Sequence, residues 1–472
     1  MAAAAPLPIG GRLELFVDRY LIDHMEGLRL TLQRPQLREI VFRFDQPWEQ
    51  PFAGAVSIVK DGPTYMMYYR GVNRGANGDY DGTTEVSCYA ESTDGIHWVR
   101  PNLGLFEYRG SKANNIILPS DNPHHVSHNL MVTLDPRPGV PPAERFKAIG
   151  GTRKSGLFRY VSGDGIHWKL FSEQPIFVNY ALDTLNVLTW SPAENCYVIY
   201  LRTWSGGGTP SHPKNDGVRT ISRSTSADFA TWTEPQQMEI EGPLEDIYTN
   251  GTHPYFRAPH ILIALPFRFS PDRQVYSDEM MTEHGVHFTQ RKGLSDGVLM
   301  TSRGGNRYDR TFMESFIRPG PDFGAWVARS SVPAVGVVPT GEREMSIYTT
   351  THHTTPDYHV RRYSLRTDGF SSVNAPYAGG ELVTKPLVFS GAKLVLNYET
   401  SASGGVQVEV QDEAGHPLPG FSLAESPLIL GDEIDREVKW ASGSSLAALA
   451  GRPVRLRFVM KDADLYSLQF RP

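Results

Sequence analysis

The sequence is poor in cysteine: Cys88 and Cys196 are the only two in 472 residues. Two thiols so far apart build no disulfide framework and no metal-ligand pair. Both lie in apolar, strand-like runs, where a thiol serves as a small buried hydrophobe. No apolar stretch approaches the length of a helical membrane span, so no membrane partner is expected. Basic residues are not in excess: 46 Lys and Arg face 52 Asp and Glu, for a net charge of -6 and a pI near 6.2. That balance offers no cationic face to a phosphate backbone, and nucleic acid is excluded as a partner. Long helical periodicity is missing as well. Met1 to Gly11 shows neither a basic n-region nor an apolar h-region, which fits a cytoplasmic protein or an exported one whose leader is already removed. What the chain does contain is 44 Gly, 35 Pro and 11% aromatic residues, a mixture suited to many short strands joined by tight turns. Its length exceeds one compact core, so two domains, or a repeat domain with an appendage, are expected.

A repeat organises most of the chain. Ser92-Thr-Asp-Gly-Ile-His-Trp98 returns as Ser162-Gly-Asp-Gly-Ile-His-Trp168, more loosely around Asp228 and Trp232, and in degenerate form at Ser302 to Tyr308 and Arg366 to Phe370. Spacings of 70, 64, 77 and 63 residues separate Asp94, Asp164, Asp228, Gly305 and Asp368. Asp-Gly after Ser or Thr makes a tight turn, because Gly accepts positive φ and Asp bonds the turn backbone. The aromatic residue that follows anchors a packing face. A look-alike at Thr282 to Phe288 breaks the spacing and is assigned to a long loop. Within a unit, Ala55–Val59, Thr64–Arg70 and Glu85–Glu91 read as successive strands, and Asn186–Trp190 with Cys196–Arg202 repeat the first half. Five four-stranded units of near-equal length, repeated radially, predict an all-β five-bladed β-propeller over residues 40–375. An immunoglobulin-like array would leave the Asp-Gly-aromatic turn unexplained. From 385 to 472 short alternating runs, such as Val406–Gln411 and Val454–Val459, predict a C-terminal β-sandwich. Residues 1–39 carry strands, Leu13–Val17 and Leu28–Leu32, expected to pack on the propeller or close it.

The repeated Ser-x-Asp-Gly-x-x-Trp turn with a trailing β-sandwich resembles the five-bladed propeller superfamily of glycoside hydrolase families 32, 43, 62 and 68. Within it, Leu15 to Asp23, Tyr248 to Asn250 with Ala258 to His260, Glu314 to Gly320 and Asp462 to Tyr466 resemble a group of family-32-like proteins. The family-32 hallmarks Asn-Asp-Pro-Asn-Gly, Arg-Asp-Pro and Glu-Cys are not present in those forms. The resemblance implies a ligand pocket at one mouth of a central channel lined by the first strand of each blade. It implies a carbohydrate substrate, and an exo-acting, furanosidase-like hydrolase.

Cleaving a glycosidic bond takes two carboxyl groups flanking it, so acids that open inner strands are the candidates. Glu49 and Asp45, with Trp48 for stacking on a sugar face, precede the first inner strand. Asp183 opens a strongly apolar strand, where an acid needs a partner, and Arg202 could supply it. Glu314 sits among apolar residues that would raise its pKa toward a general acid, with Arg318 as a competing ion-pair partner. Glu49, Asp183 and Glu314 form the expected catalytic set. Substrate binding is expected from Asp45, Trp48, His128, Asn129, Arg202, Asn250, His253, Arg257, Asp296 and Arg318. The histidines and arginines would equally suit a uronate or phosphate, so a lyase or phosphorylase stays open, as does a non-catalytic glycan-binding propeller. His352 and His353 are adjacent and point to opposite faces of a strand. No metal and no cofactor are expected.

Overall fold

The computed structural model describes residues 5–49, 52–73, 80–286 and 288–472. The protein is nearly all β: among the described residues 35 strands stand against one α-helix, Asp278–Glu283, and five 3-10 turns. None of these helices is long and apolar enough to cross a membrane. The chain forms two compact units, residues 35–364 and residues 1–34 with 365–472.

In the unit of residues 35–364, three four-stranded antiparallel sheets follow one another. The first is Gly54–Asp61, Thr64–Gly71, Val86–Ser92 and Ile116–Leu118. The second is Met131–Leu134, Phe146–Thr152, Gly156–Ser162 and Lys169–Leu170. The third is Val187–Ser191, Cys196–Trp204, Arg219–Ser226 and Gln236–Gln237. A fourth sheet has three strands, His253–Tyr255, Ala258–Ala264 and Met300–Ser302. The last has Val332–Pro333 and Val338–Pro339 on Glu344–Thr351, which is followed by His359–Arg366 and finally by Gln36–Arg43. The leading strands pack on one another in order, first sheet on second, second on third, third on fourth. The circuit closes where Ser57 bridges Val335 and where Val337 N–H donates to His253 Nε2 at 3.0 Å. Because each sheet is covered on both faces, middle strands read as continuous apolar runs. Tyr197-Val-Ile-Tyr-Leu201 is buried at every position.

The repeated turn is the joint between sheets. Asp94 Oδ1 accepts the backbone N–H groups of Ile96 and His97, both at 2.8 Å, and Ser92 Oγ at 2.9 Å. Asp164 and Asp228 repeat this set with their own neighbours. Gly95 (φ 75°) and Gly165 (φ 77°) take the left-handed position. Each turn sits against the preceding sheet. Gly165 abuts Tyr68 of the first sheet, Phe229 accepts from Arg159 of the second, and the Gly95 carbonyl accepts from Tyr348 of the last at 2.6 Å. The look-alike at 282–288 belongs to a different structure, since its first residues end the single helix; His287 lies outside the described residues. Cys88 and Cys196 are free thiols, Cys88 buried and Cys196 half-buried.

The other unit is one ten-stranded sheet curled around its own core. Its spine is a pair of 19-residue strands, Lys393–Gln411 and Pro453–Arg471, antiparallel from Leu394 opposite Phe470 to Gln411 opposite Arg455, with a bulge between Thr400 and Gly405. Val454, Leu456, Phe458 and Met460 alternate into the core, as a pleated strand with one wet face requires. Two differences from the sequence reading stand out. The strands between Leu7 and Leu32 belong to this curled sheet, and of the N-terminal segment it is Gln36–Arg43 that joins the last sheet of the other unit. The fifth turn copy also lies in this unit. Asp368 is buried and accepts from Ser467 Oγ at 2.7 Å and Asn397 Nδ2 at 3.0 Å, so the expected 375 and 385 boundaries move back to 364.

Candidate active site

The leading strands of residues 35–364 leave a cavity of about 150 Å³ at their N-terminal ends. Its wall includes Ala53, Arg70, Asn129, Asp183, Tyr248, Arg329, His353 and Tyr358. The sequence builds it from the residues just before each strand, where the chain is freed from ladder pairing and polar groups can face inward.

Asp183 is the one carboxylate on this wall among the described residues. Its side chain is 72% exposed, and it accepts from His128 Nε2 at 3.0 Å. His128 lies against Glu85 through Nδ1 at 2.8 Å, and Tyr80 O–H also donates to Glu85. A histidine whose two nitrogens both face carboxylates satisfies both only as imidazolium. Burial opposes that charge, but the bonds to Asp183 and Glu85 outweigh it and raise the His128 pKa to about 8. The enclosing wall pushes the Asp183 carboxyl up; the His128 bond and then the Arg202 charge pull harder, and the net shift is downward. Glu85 is lowered in the same way, against burial, by His128 and Arg70. Asp183 is thus held ionised at the edge of a buried Glu85–His128 pair.

Cations frame the acid. Arg70 ends the second strand of the first sheet, donating to Asn129 Oδ1 at 2.8 Å and to the Phe52 carbonyl at 3.1 Å. Asn129 adopts φ 61°, in the left-handed region that asparagine tolerates. Arg202 is buried over the Tyr248 ring at 5.0 Å and donates to the Ala181 carbonyl. It acts on Asp183 through its field, while His128 is the direct partner. Arg329 stands over the rings of Phe269 and Phe288. His353 Nδ1 donates to the Ala328 carbonyl at 3.1 Å, and burial drops its pKa to about 3, leaving a neutral imidazole on the wall. Tyr248 stacks on Phe267 at 4.7 Å.

Of the residues expected from the sequence, Asp183, His128, Asn129 and Arg202 meet here, and the others do not. Glu49 is 1% exposed and gripped by Arg100, Nε to Oε1 at 2.9 Å and Nη2 to Oε2 at 2.7 Å, with Tyr69 O–H also donating to it. It is sealed off from the cavity, although burial pushes its pKa up against the pull of Arg100. Trp48 is core, its indole N–H on Asn115 Oδ1, and Asp45 is exposed 3.4 Å from Arg100. Glu314 and Arg318 face solvent while Phe312, Phe316 and Ile317 turn inward, so the apolar neighbours do not enclose the acid. Asp296 is clamped by Arg268 at 2.9 and 2.6 Å. Asn250 ties the fourth sheet to the Tyr200 carbonyl. His253 is neutral, lowered by burial to about 4, with both nitrogens satisfied by backbone. Arg257 lies in the turn after His253–Tyr255. The sequence reading missed Arg70, Glu85, Arg329 and Tyr358. Arg70 was legible, since it ends Thr64–Arg70 as Arg202 ends Cys196–Arg202.

No family model and no curated protein sequence matches the chain. Solved structures similar to it include a protein described as a glycoside hydrolase, 12% identical with a TM-score of 0.47, covering 70% of this chain and 92% of that one. An N-acetylgalactosamine deacetylase from F. plautii, in complex with blood group B trisaccharide, is 13% identical with a TM-score of 0.44, over 72% of this chain and 96% of that one. A beta-1,2-mannobiose phosphorylase from Listeria innocua is 10% identical with a TM-score of 0.45, over 70% and 95%.

Proposed function

We propose that residues 35–364 form a five-bladed β-propeller that cleaves a glycosidic bond in the cavity, with Asp183 as its working carboxylate. The supporting observation is the arrangement of Asp183: exposed to the cavity, ionised, and backed by the buried His128–Glu85 pair. A carboxylate held below its ordinary pKa suits a base, a nucleophile or a stabiliser of the positive charge developing at the anomeric carbon. A general acid needs the opposite shift. Tyr248 and Tyr358 give aromatic surface for a sugar face. At about 150 Å³ the cavity is smaller than the roughly 300–1,000 Å³ of drug-sized pockets. That supports a terminal sugar, hence the exo mode and a compact furanoside-like ring.

A second reading, phosphorolysis or uronate lysis, is favoured by one observation. Hydrolysis ordinarily uses two carboxyl groups, and among the described residues this wall presents one, beside Arg70 and Arg329. Guanidinium forks match phosphate and uronate oxygens. A screen of aryl-glycosides and oligosaccharides, with and without phosphate, tests both readings. Release of free sugar that Asp183→Asn abolishes supports hydrolysis, phosphate-dependent release of a sugar phosphate supports the phosphorylase, and an ultraviolet-absorbing product supports the lyase. Saturable sugar binding without turnover on any substrate would leave a binding propeller and overturn the proposal.

A further inference from the structure

Behind the cavity wall, facing away from it, lies a cluster that the glycan chemistry does not use. The turn between the strands Glu344–Thr351 and His359–Arg366 carries His352 and Asp357, and His359 opens the second of these strands. One donor atom of each lies within 4.8 Å of the other two. His352 and His353 do point apart, as their adjacency requires. His353 lines the cavity, while His352 turns to His359, their ring centroids 4.6 Å apart.

The hydrogen bonds fix what each imidazole offers. His359 is fully buried, and its Nδ1 lies 2.6 Å from the Asp357 carbonyl. A carbonyl only accepts, so Nδ1 carries the proton and Nε2 presents its lone pair. That Nε2 is buried and has no hydrogen-bond partner, and neither has Nε2 of His352. A buried nitrogen left bare costs about 1–3 kcal/mol. A histidine that donates one N–H to a backbone carbonyl while the other nitrogen stays free has the second-shell arrangement of a metal ligand. Asp357 completes the set, its Oδ2 3.3 Å from His352 Nδ1, whereas Asp322 Oδ2 lies 3.9 Å from the other ring nitrogen, Nε2, and pairs with Arg361. Arg43 holds the other oxygen of Asp357 and leaves Oδ2 directed at the imidazoles. Gly324 is pressed against the His352 ring, where a Cβ would come within 2.4 Å, so the ring is held in place.

We propose that His352, Asp357 and His359 form a binding site for a divalent transition-metal ion, zinc on the chemistry of its ligands, with solvent completing the coordination. Two imidazoles and carboxylate oxygen suit Zn²⁺ at bond lengths of about 2.0–2.2 Å, which put ligand atoms roughly 3.3 Å apart in a tetrahedron. Binding therefore draws the widest pair of the cluster, at most 4.8 Å apart, inward by up to about 1.5 Å. The ion would brace the turn that carries His353 and Tyr358 to the cavity wall. The site stands independently of the reaction proposed for Asp183.

The test uses the full-length chain, stripped with chelator and titrated with zinc alone by calorimetry, with thermal unfolding followed in parallel. Near one ion per chain and a rise in Tm of roughly 5 °C at saturating zinc are expected. Cobalt in place of zinc should give the visible d–d bands of a nitrogen- and oxygen-ligated site. His352→Gln and His359→Gln should each abolish the tight binding and the bands. Asp357→Asn, at an exposed position, gives the same reading should the buried His359 variant fail to fold. No heat and no Tm change with zinc in excess overturns the site, and so does binding that survives in His352→Gln, since the ion is then held elsewhere.

Discussion

The same leading strands end in two cavities of opposite character. At their N-terminal ends lies the cavity of about 150 Å³ with Arg70, Asp183, Arg329 and His353 on its wall. Past their C-terminal ends lies one of about 740 Å³, lined by Pro136, Pro138, Pro192, Pro254, Pro259, Pro339 and Trp190. The larger cavity has no carboxylate on its wall among the described residues, and the titratable groups there are Lys60, Tyr255 and the neutral His253. Size and chemistry are therefore separated in this molecule. The strand starts hold charges because loops lead into them and backbone N–H groups there await partners. The strand ends are closed by prolines, which need no N–H partner and leave an apolar surface.

The sharpest way to break the comparison is to neutralise Asp183, the one acid on the small cavity's wall among the described residues. Asp183→Asn keeps the shape and removes the charge, and kcat on a substrate found in the screen should fall by about 10²–10⁴-fold, the usual worth of a proton-transferring side chain. Unimpaired turnover would take the chemistry out of this mouth. Next in size is an effect on stability. Glu49→Gln leaves Arg100 facing a neutral amide in the first sheet, and breaking such a buried pair costs about 3–5 kcal/mol. Urea denaturation should show the loss, while kcat at a permissive temperature stays within a few-fold because Glu49 is sealed from both cavities. A collapse of kcat with unchanged stability would restore Glu49 to the catalytic set.

His128 gives a third, smaller test, through pH. Its pKa is about 8 in the fold against 6.5 for an unperturbed imidazole. The group is raised, so its contribution is fully present below pH 6.5 and is lost as pH climbs through 8. The difference is worth about 2 kcal/mol at roughly 1.4 kcal/mol per unit. Relative to His128→Gln, the wild type should lose stability across that window. The difference between the two curves isolates His128, because His253 and His353, neutral in the fold, contribute equally to both.

The repeat made much of this fold legible. Asp-Gly turns have a local cause, a carboxylate closing on the next backbone N–H groups, and local causes can be read one residue at a time. The anchoring of Gly165 on Tyr68 follows the same rule from sheet to sheet. The fifth copy lies in the other unit, where Asp368 also accepts from Asn397 and Ser467, which are remote in the chain and invisible to a local motif. Asp183 and His128, read as polar residues ahead of apolar strands, meet in the structure. Glu49 and Glu314 met the same criterion but do not line this cavity, for non-local reasons. Arg100, 51 residues away, captures Glu49, and the side chains flanking Glu314 turn inward without it. The link between Asp183 and Glu85 through His128 joins three sequence neighbourhoods that no spacing connects.

The smallest expected effect is at the large cavity, and it tests the other half of the comparison. Trp190 forms part of its apolar lining, with Arg137 over the ring at 5.0 Å and Tyr197 edge-on at 5.0 Å. An aromatic ring in an open apolar cleft is what a sugar-binding site would use, so this is the residue to remove. With the chemistry at the small cavity, Trp190→Leu should change kcat and KM by no more than about twofold, a barrier difference of roughly 0.4 kcal/mol. A rise in KM of tenfold or more at unchanged kcat would mean that substrate reaches through the ring and rests on Trp190. The two cavities would then be two ends of one site.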